Sequence, residues 1–418
     1  MKRILVIFCS LVLVSIITFN VVKKYNDARD DYTIKDTNML SMMLETAIGS
    51  NEYVEASGNE WPNEEYTFNS ELSACENGSK LSWNSNTKRV VVNGNISDKC
   101  YVYFDKTKKT LASYIKNLYT GTQGKNNLYL HDSTLENGAG DNSYRYAGSS
   151  ETTNNFVCFG YDSTDGTCPT DYLYRIIGVF GDNVKLIKYD YAKSTLLGTT
   201  GDYKTTYKSS GGWGTSKGTN TQDEIGGYYW NYNGTSKTGD YQYGSNTWST
   251  SLLNKTNLNN NFTTKLGTTW SNKIATTTWK VGGNTWANIG AQNAKTAYTN
   301  EITSPVANTT VSAKVGLMYV SDYMYAASPT YWTYKGLDTA TIDYGAAVND
   351  NWMYMGLYEW TIAPRTDNSY NLFSVHNDGY VGNDTANAAT AVRAAFALES
   401  SITYAGGAGT AAEPILLS

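Results

Sequence analysis

Residues 349–365 read NDNWMYMGLYEWTIAPR, residues 371–382 read NLFSVHNDGYVG, and residues 391–398 read AVRAAFAL. Each block predicts a short strand bounded by turn residues. Trp352, Tyr354, Gly356, Tyr358 and Trp360 recur at period two, with Met353, Met355 and Leu357 between them. Both faces are then apolar or aromatic, so a fully buried strand is expected over Trp352–Trp360. Asn377-Asp378-Gly379 marks a tight turn between Leu372–Val375 and Tyr380–Val381. In the third block Arg393 is a lone cation in an apolar run, and a buried guanidinium without a partner would cost several kcal/mol. Glu359, the lone acid of the aromatic segment, is the candidate partner. The alternative is that both side chains reach water at a sheet edge, where the pair contributes little.

These blocks carry a resemblance. Trp360–Arg365, the Asp378-Gly379-Tyr380-Val381 turn, and Val392-Arg393 with the tail Gly406–Thr410 and Glu413-Pro414 resemble a group of secreted and surface domains of gut Firmicutes-type bacteria. Leu173–Phe180 with Val184–Lys188 is similar to the opening hairpin of those domains, and Trp248–Phe262 and Trp279–Gly283 to their middle. The resemblance runs from about Tyr119 to the end. It implies a C-type-lectin-like fold shared with the formylglycine-generating sulfatase modifiers. Ala394 departs from the family pattern, which has proline after the arginine. The modifiers' activity is not carried over, because no cysteine follows Cys168. Calcium-dependent sugar binding is not carried over either, because the Glu-Pro-Asn, Gln-Pro-Asp and Trp-Asn-Asp triplets of true C-type lectins are missing.

The chain has 418 residues, which suggests more than one domain, and a net charge of −5 without a basic stripe, so nucleic-acid binding is not expected. Ile4–Val22 is an almost unbroken apolar run, and about 20 residues span a bilayer. A cleaved secretion signal would need a small-residue site, yet the first alanine is Ala28 and the first glycine Gly49. The expectation is therefore an uncleaved anchor with the large domain outside the cell; secretion after cleavage is the alternative. The expected organisation is a membrane anchor over 1–24, a stalk with a short helix over 25–60, and a small β module over 61–105. A linker helix over 106–125 and the lectin-like domain over 126–418 complete it. The fold class is thus α+β: a transmembrane helix, a disulfide-stapled β module, and a mixed domain rich in short antiparallel strands and long loops.

Within the stalk, Met39, Leu40, Met43 and Leu44 predict an amphipathic helix over Asp36–Ile48. Four strand-like runs follow, with Asn77-Gly78 and Asn93-Gly94 as turns and Cys75 and Cys100 bracketing the inner two. A module this small relies on a staple, so a Cys75–Cys100 disulfide is expected. Cys158 and Cys168 flank a polar turn and read as a second disulfide. The competing reading is metal ligation by these cysteines and the aspartates between them, but His131 and His376 are the only histidines.

No phosphate-binding Gly-rich loop and no nucleophile-elbow serine occurs. Paired carboxylates remain open to a hydrolase. No catalytic residue, cofactor or metal is assigned. The Gly- and Tyr-rich stretch 193–250 reads either as packing or as a ligand loop, since aromatic faces suit sugars. Trp213, Tyr229, Trp230, Trp332 and Tyr334 are the candidate ligand residues. The expected function is non-enzymatic binding of glycan or protein at the cell surface, as in an adhesin. The alternatives are a structural or pilus-associated subunit and an unrecognised glycan hydrolase.

Overall fold

The computed structural model describes residues 40–56, 65–84, 89–95, 97–163, 166–336 and 344–418. The chain divides into two compact units between Lys109 and Thr110.

In the first unit the strands are β1 (Leu40–Glu45), β2 (Tyr53–Glu55), β3 (Tyr66–Cys75), β4 (Lys80–Asn84), β5 (Arg89–Asn93) and β6 (Cys100–Lys106). Four form a sheet in the order β2-β1-β6-β3, with β1 parallel to β6. β4 and β5 form a separate antiparallel pair. Cys75 and Cys100 lie directly opposite each other on β3 and β6 and are disulfide-bonded. The core is small: Leu44, Val90, Val102 and Phe104, with half-buried neighbours including Leu40 and Met42.

From Leu40 on, that core corrects the stalk helix expected over Asp36–Ile48; residues 36–39 lie outside the described ones. Leu40, Met42 and Leu44 alternate, and this period-two set packs inward once β6 offers a free edge to β1. The helical reading weighed Met43 with Leu44; sheet pairing selects the other periodicity.

The second unit opens with the helix Leu111–Leu118, capped by the Thr110 hydroxyl, which accepts from the Ser113 N–H at 3.1 Å. It buries Leu111, Ala112 and Ile115 in this unit's core. Then come β7 (Leu128–Leu130), β8 (Tyr144–Tyr146), β9 (Phe156–Cys158), β10 (Leu173–Phe180) and β11 (Asn183–Lys188). After them are β12 (Tyr203–Thr206), β13 (Gly226–Tyr228), β14 (Thr277–Lys280), β15 (Thr310–Ala313) and β16 (Val315–Gly316). The last described here are β17 (Glu359–Pro364), β18 (Asn371–Val375), β19 (Val381–Thr385) and β20 (Ala395–Ala397). The central sheet has seven strands, ordered β16-β20-β11-β10-β8-β7 with β9 also on β10. β10 is buried over Leu173–Val179, covered on both faces. β17-β18-β19 form a second sheet, and the turn from β18 to β19 holds Gly379 at φ +90°.

The expected strand Trp352–Trp360 is mostly not a strand. Its residues are buried, but regular pairing begins only at Glu359. The Asn351 side chain accepts from the Met353 N–H at 2.9 Å, folding a turn, and Gly356 at φ +89° breaks the extended run. Aromatic density reported burial here, not extension.

The fold class is corrected as a whole. The described chain is mixed α+β, mostly strands with few helices and two disulfides. Among the described residues no helix is long and apolar enough to cross a membrane, so the described fold carries no transmembrane helix. Ile4–Val22 itself lies outside the described residues.

The stretch 193–250 holds the β12–β13 pair, a one-turn helix at Ser194–Leu197 and short 3-10 turns, and two buried carboxylates organise it. Asp190 accepts from the N–H groups of Tyr191, Thr219 and Asn220 at 2.6 to 2.7 Å. Asp202 accepts from Tyr232 and Asn233 on one oxygen and from Leu252 and Leu253 on the other, at 2.7 to 3.0 Å. The N–H groups of buried Tyr191, Asn220 and Leu253 would otherwise be costly orphans.

Candidate functional site

A cavity of about 700 Å³ lies in the second unit against β8, β10, β11 and β20 of the central sheet. β8 and the loop before it supply Arg145 and Asp141, and β11 supplies Lys185. β14 supplies Trp279, and the segment running into the helix Val320–Tyr325 supplies Tyr319 and Asp322. Lys185 is the one charge in Val184-Lys185-Leu186-Ile187; strand alternation turns it away from the face that Val184 and Leu186 bury.

Arg145 is 2% exposed and sits between two acids. Its Nη2 donates to Asp141 Oδ2 at 2.6 Å, its Nε to Ser143 Oγ at 2.8 Å, and its Nη1 lies 4.0 Å from Asp322 Oδ1. Lys185 Nζ donates to Asp322 Oδ2 at 2.5 Å, and that oxygen also accepts from the Tyr319 N–H at 2.9 Å. The rings of Tyr319, Trp279 and Phe180 surround the Lys185 ammonium at 4.6, 5.4 and 5.8 Å. Tyr298 donates its hydroxyl to Asp141 at 2.9 Å.

Burial alone would raise the Asp141 carboxyl, but Arg145 and the Ser143 hydrogen bonds outweigh it and hold it down at about 2. Burial would lower Arg145, yet Asp141 and Asp322 hold it above its ordinary value. Behind the wall, Glu301 accepts from the N–H groups of Val320 and Ser321 at 2.9 Å each. Burial pushes its carboxyl up to about 7 despite those bonds. The cavity therefore presents fixed charges in balanced pairs, aromatic edges and hydroxyls. Asp141 carries no proton near neutral pH. Among the described residues no three His, Cys, Asp or Glu side chains gather to hold a metal ion, and the cysteines at 158 and 168 are disulfide-bonded.

None of the five expected ligand residues lines this cavity. Trp230 and Trp332 are core residues, a correction to their assignment. Trp230 donates its indole N–H to the Thr361 carbonyl at 2.9 Å, and Trp332 donates to Ala327 at 2.8 Å. Both polar handles are thus consumed inside the fold. Tyr229 is half-buried against Tyr232, and Tyr334 against Tyr331. Trp213 alone is open, at 68% exposure. Its backbone is fixed by Tyr207, whose hydroxyl donates to the Trp213 carbonyl at 2.7 Å and accepts from its N–H at 3.1 Å. The sequence reading missed Asp141, Arg145, Lys185, Tyr298, Tyr319 and Asp322. The lone Lys185 in an apolar strand and the close spacing of Asp141, Ser143 and Arg145 were the available signals.

Comparison of the chain with protein-family models, with curated proteins and with solved structures gave no match. The resemblance noted in the sequence therefore rests on its motifs alone.

Proposed function

We propose that this chain is a non-enzymatic, extracytoplasmic binding protein whose second unit takes a carbohydrate in the Arg145–Asp322 cavity. The observation that carries the reading is the lining: half-buried Phe180 and Tyr319 line the cavity beside Asn183, the Thr276–Thr278 hydroxyls and the paired charges. Its volume, about 700 Å³, lies within the usual range for small-molecule sites. Two disulfides support an oxidising compartment.

Charge state supports binding over hydrolysis. A glycosidase acid must hold a proton at working pH. Asp141 is held at about 2, and Asp322 is bonded to Lys185. Glu301, the raised carboxyl, is buried against backbone N–H groups.

A glycan array probed with the whole chain, followed by calorimetry on the hits, tests this. Phe180→Ala and Tyr319→Ala should abolish binding in variants whose far-UV circular dichroism shows the fold retained. Turnover of a bound glycan would refute the non-enzymatic reading. Binding lost only in Trp213→Ala would move the site to the exposed loop. That second reading is supported by the open, backbone-fixed indole of Trp213.

A further inference from the structure

A second cavity system lies where β11 ends, next to Thr170–Tyr172. An inner chamber of about 160 Å³ is lined by Lys188, Lys193, Lys265, Tyr174 and Leu266. An outer chamber of about 350 Å³ shares Asp171, Tyr172, Lys193 and Asn220 with it.

Lys188 is 2% exposed. Its Nζ donates to the Asp171 carbonyl oxygen at 2.8 Å, its one hydrogen bond among the described residues, and lies 5.4 Å from the Tyr174 ring centre. An ammonium has three donors, and a buried cation is ordinarily paired with an anion. Burial pushes this amine down to about 8. The nearby acids do not complete it. Asp171 and Glu224 are loosely held by Lys193, at 3.3 and 3.4 Å, and are half-exposed or more. Asp190 spends its oxygens on backbone N–H groups and the Thr219 hydroxyl.

We propose that the inner chamber binds an oxyanion, a carboxylate or sulfate group, received by Lys188 with Lys193 and Lys265. The outer chamber has room for whatever bears that group. The chamber is too small for a large ligand, and half-buried Leu196 and Leu266 line it beside the amines. The inference does not depend on the carbohydrate reading, because the two cavities share no residue.

The test uses the full chain and an amine-reactive ester, with labelling of each lysine read by peptide mass spectrometry. Sodium sulfate and sodium glucuronate are compared with sodium chloride at equal ionic strength, and exposed Lys204 is the internal control. Labelling of Lys188 should slow about tenfold under a saturating oxyanion, the change expected for one charge-assisted hydrogen bond. Chloride should have no such effect, and Lys204 should not respond. Protection by glucuronate alone would assign a carboxylate, and by sulfate alone a sulfate group. Calorimetry reads the same site where Lys188 reacts too slowly to follow. Heat of binding should appear in the wild type, weaken in Lys265→Gln and vanish in Lys188→Met, while Tyr319→Ala leaves it unchanged. Absence of heat with both anions, or protection equalled by chloride, overturns the proposal.

Discussion

Arg393 and Glu359 meet as a closed ion pair in the core of the second unit. Nε and Nη2 of the arginine each donate to a different carboxylate oxygen at 2.8 Å, and Nη2 also donates to the Met353 carbonyl at 2.6 Å. Side-chain exposure is 1% and 2%, so neither charge has water to fall back on. Burial raises the Glu359 carboxyl while Arg393 opposes that rise; Glu359 in turn keeps the arginine charged.

Arg393→Met strands Glu359 among apolar groups. A loss of more than about 3 kcal/mol in denaturant unfolding is expected. Replacing both partners by apolar residues of similar volume should recover much of it, because the desolvation cost of two ions then disappears. A single-variant change within about 0.5 kcal/mol would show that the pair holds nothing together.

Trp230 and Trp332 fill core space, so alanine at either should cost about 3–5 kcal/mol. Trp213→Ala should fall within about 0.5 kcal/mol. Thermal unfolding of the three variants separates packing from presentation.

Asp141, held at about 2, lies below the ordinary carboxylate value. Its contribution to stability is present above pH 4 or so and is lost as pH falls through its folded value. Asp141→Asn should therefore cost roughly 2 kcal/mol at neutral pH, with the gap to wild type closing on acidification. Unfolding free energies measured across the acid range check this.

Glu301 carries the opposite sign. With a folded value of about 7 against an ordinary 4.5, its favourable contribution is full at low pH and is lost as pH rises through 7. Glu301→Gln should flatten the stability profile between these limits by up to about 3 kcal/mol. A variant profile parallel to wild type would contradict it.

The Cys75–Cys100 bond closes a loop of 25 residues, worth about 3 kcal/mol on the chain-entropy estimate. The first unit's core is small, so the double alanine variant should lose hydrogen-exchange protection over 40–109. The strands of 110–418 should keep theirs.

Local signals made part of this legible. Asn377-Asp378-Gly379 located the β18–β19 turn because only a few residues suit its backbone, and the cysteine spacing located both disulfides. The search for a partner to Arg393 led to Glu359 because a lone charge in an apolar run has few candidates. The segments Asp36–Ile48 and Trp352–Trp360 misled for one reason: apolar residues report burial, while pairing partners and turn geometry decide backbone shape. The large cavity left almost no local trace. Asp141, Lys185, Trp279 and Asp322 come from separate segments, a loop, two different sheets and a helix, that only the tertiary fold brings together.

The Asp202 carboxylate has a consequence for how the chain can change. Its two oxygens fasten Tyr232-Asn233 and Leu252-Leu253 to one point. Between them residues 236–243 form an exposed petal, held at its base by this carboxylate, by Trp248 packed on Trp230 in the core, and by Asn246 bonded to Arg365 and Asn368. Closing a longer petal costs little more, since each doubling of length adds only about 0.6 kcal/mol. Segments of different length and composition can be exchanged over 236–243, leaving the sheet behind them untouched, provided the Asp202 bonds, Asn246 and the buried Trp248 are kept.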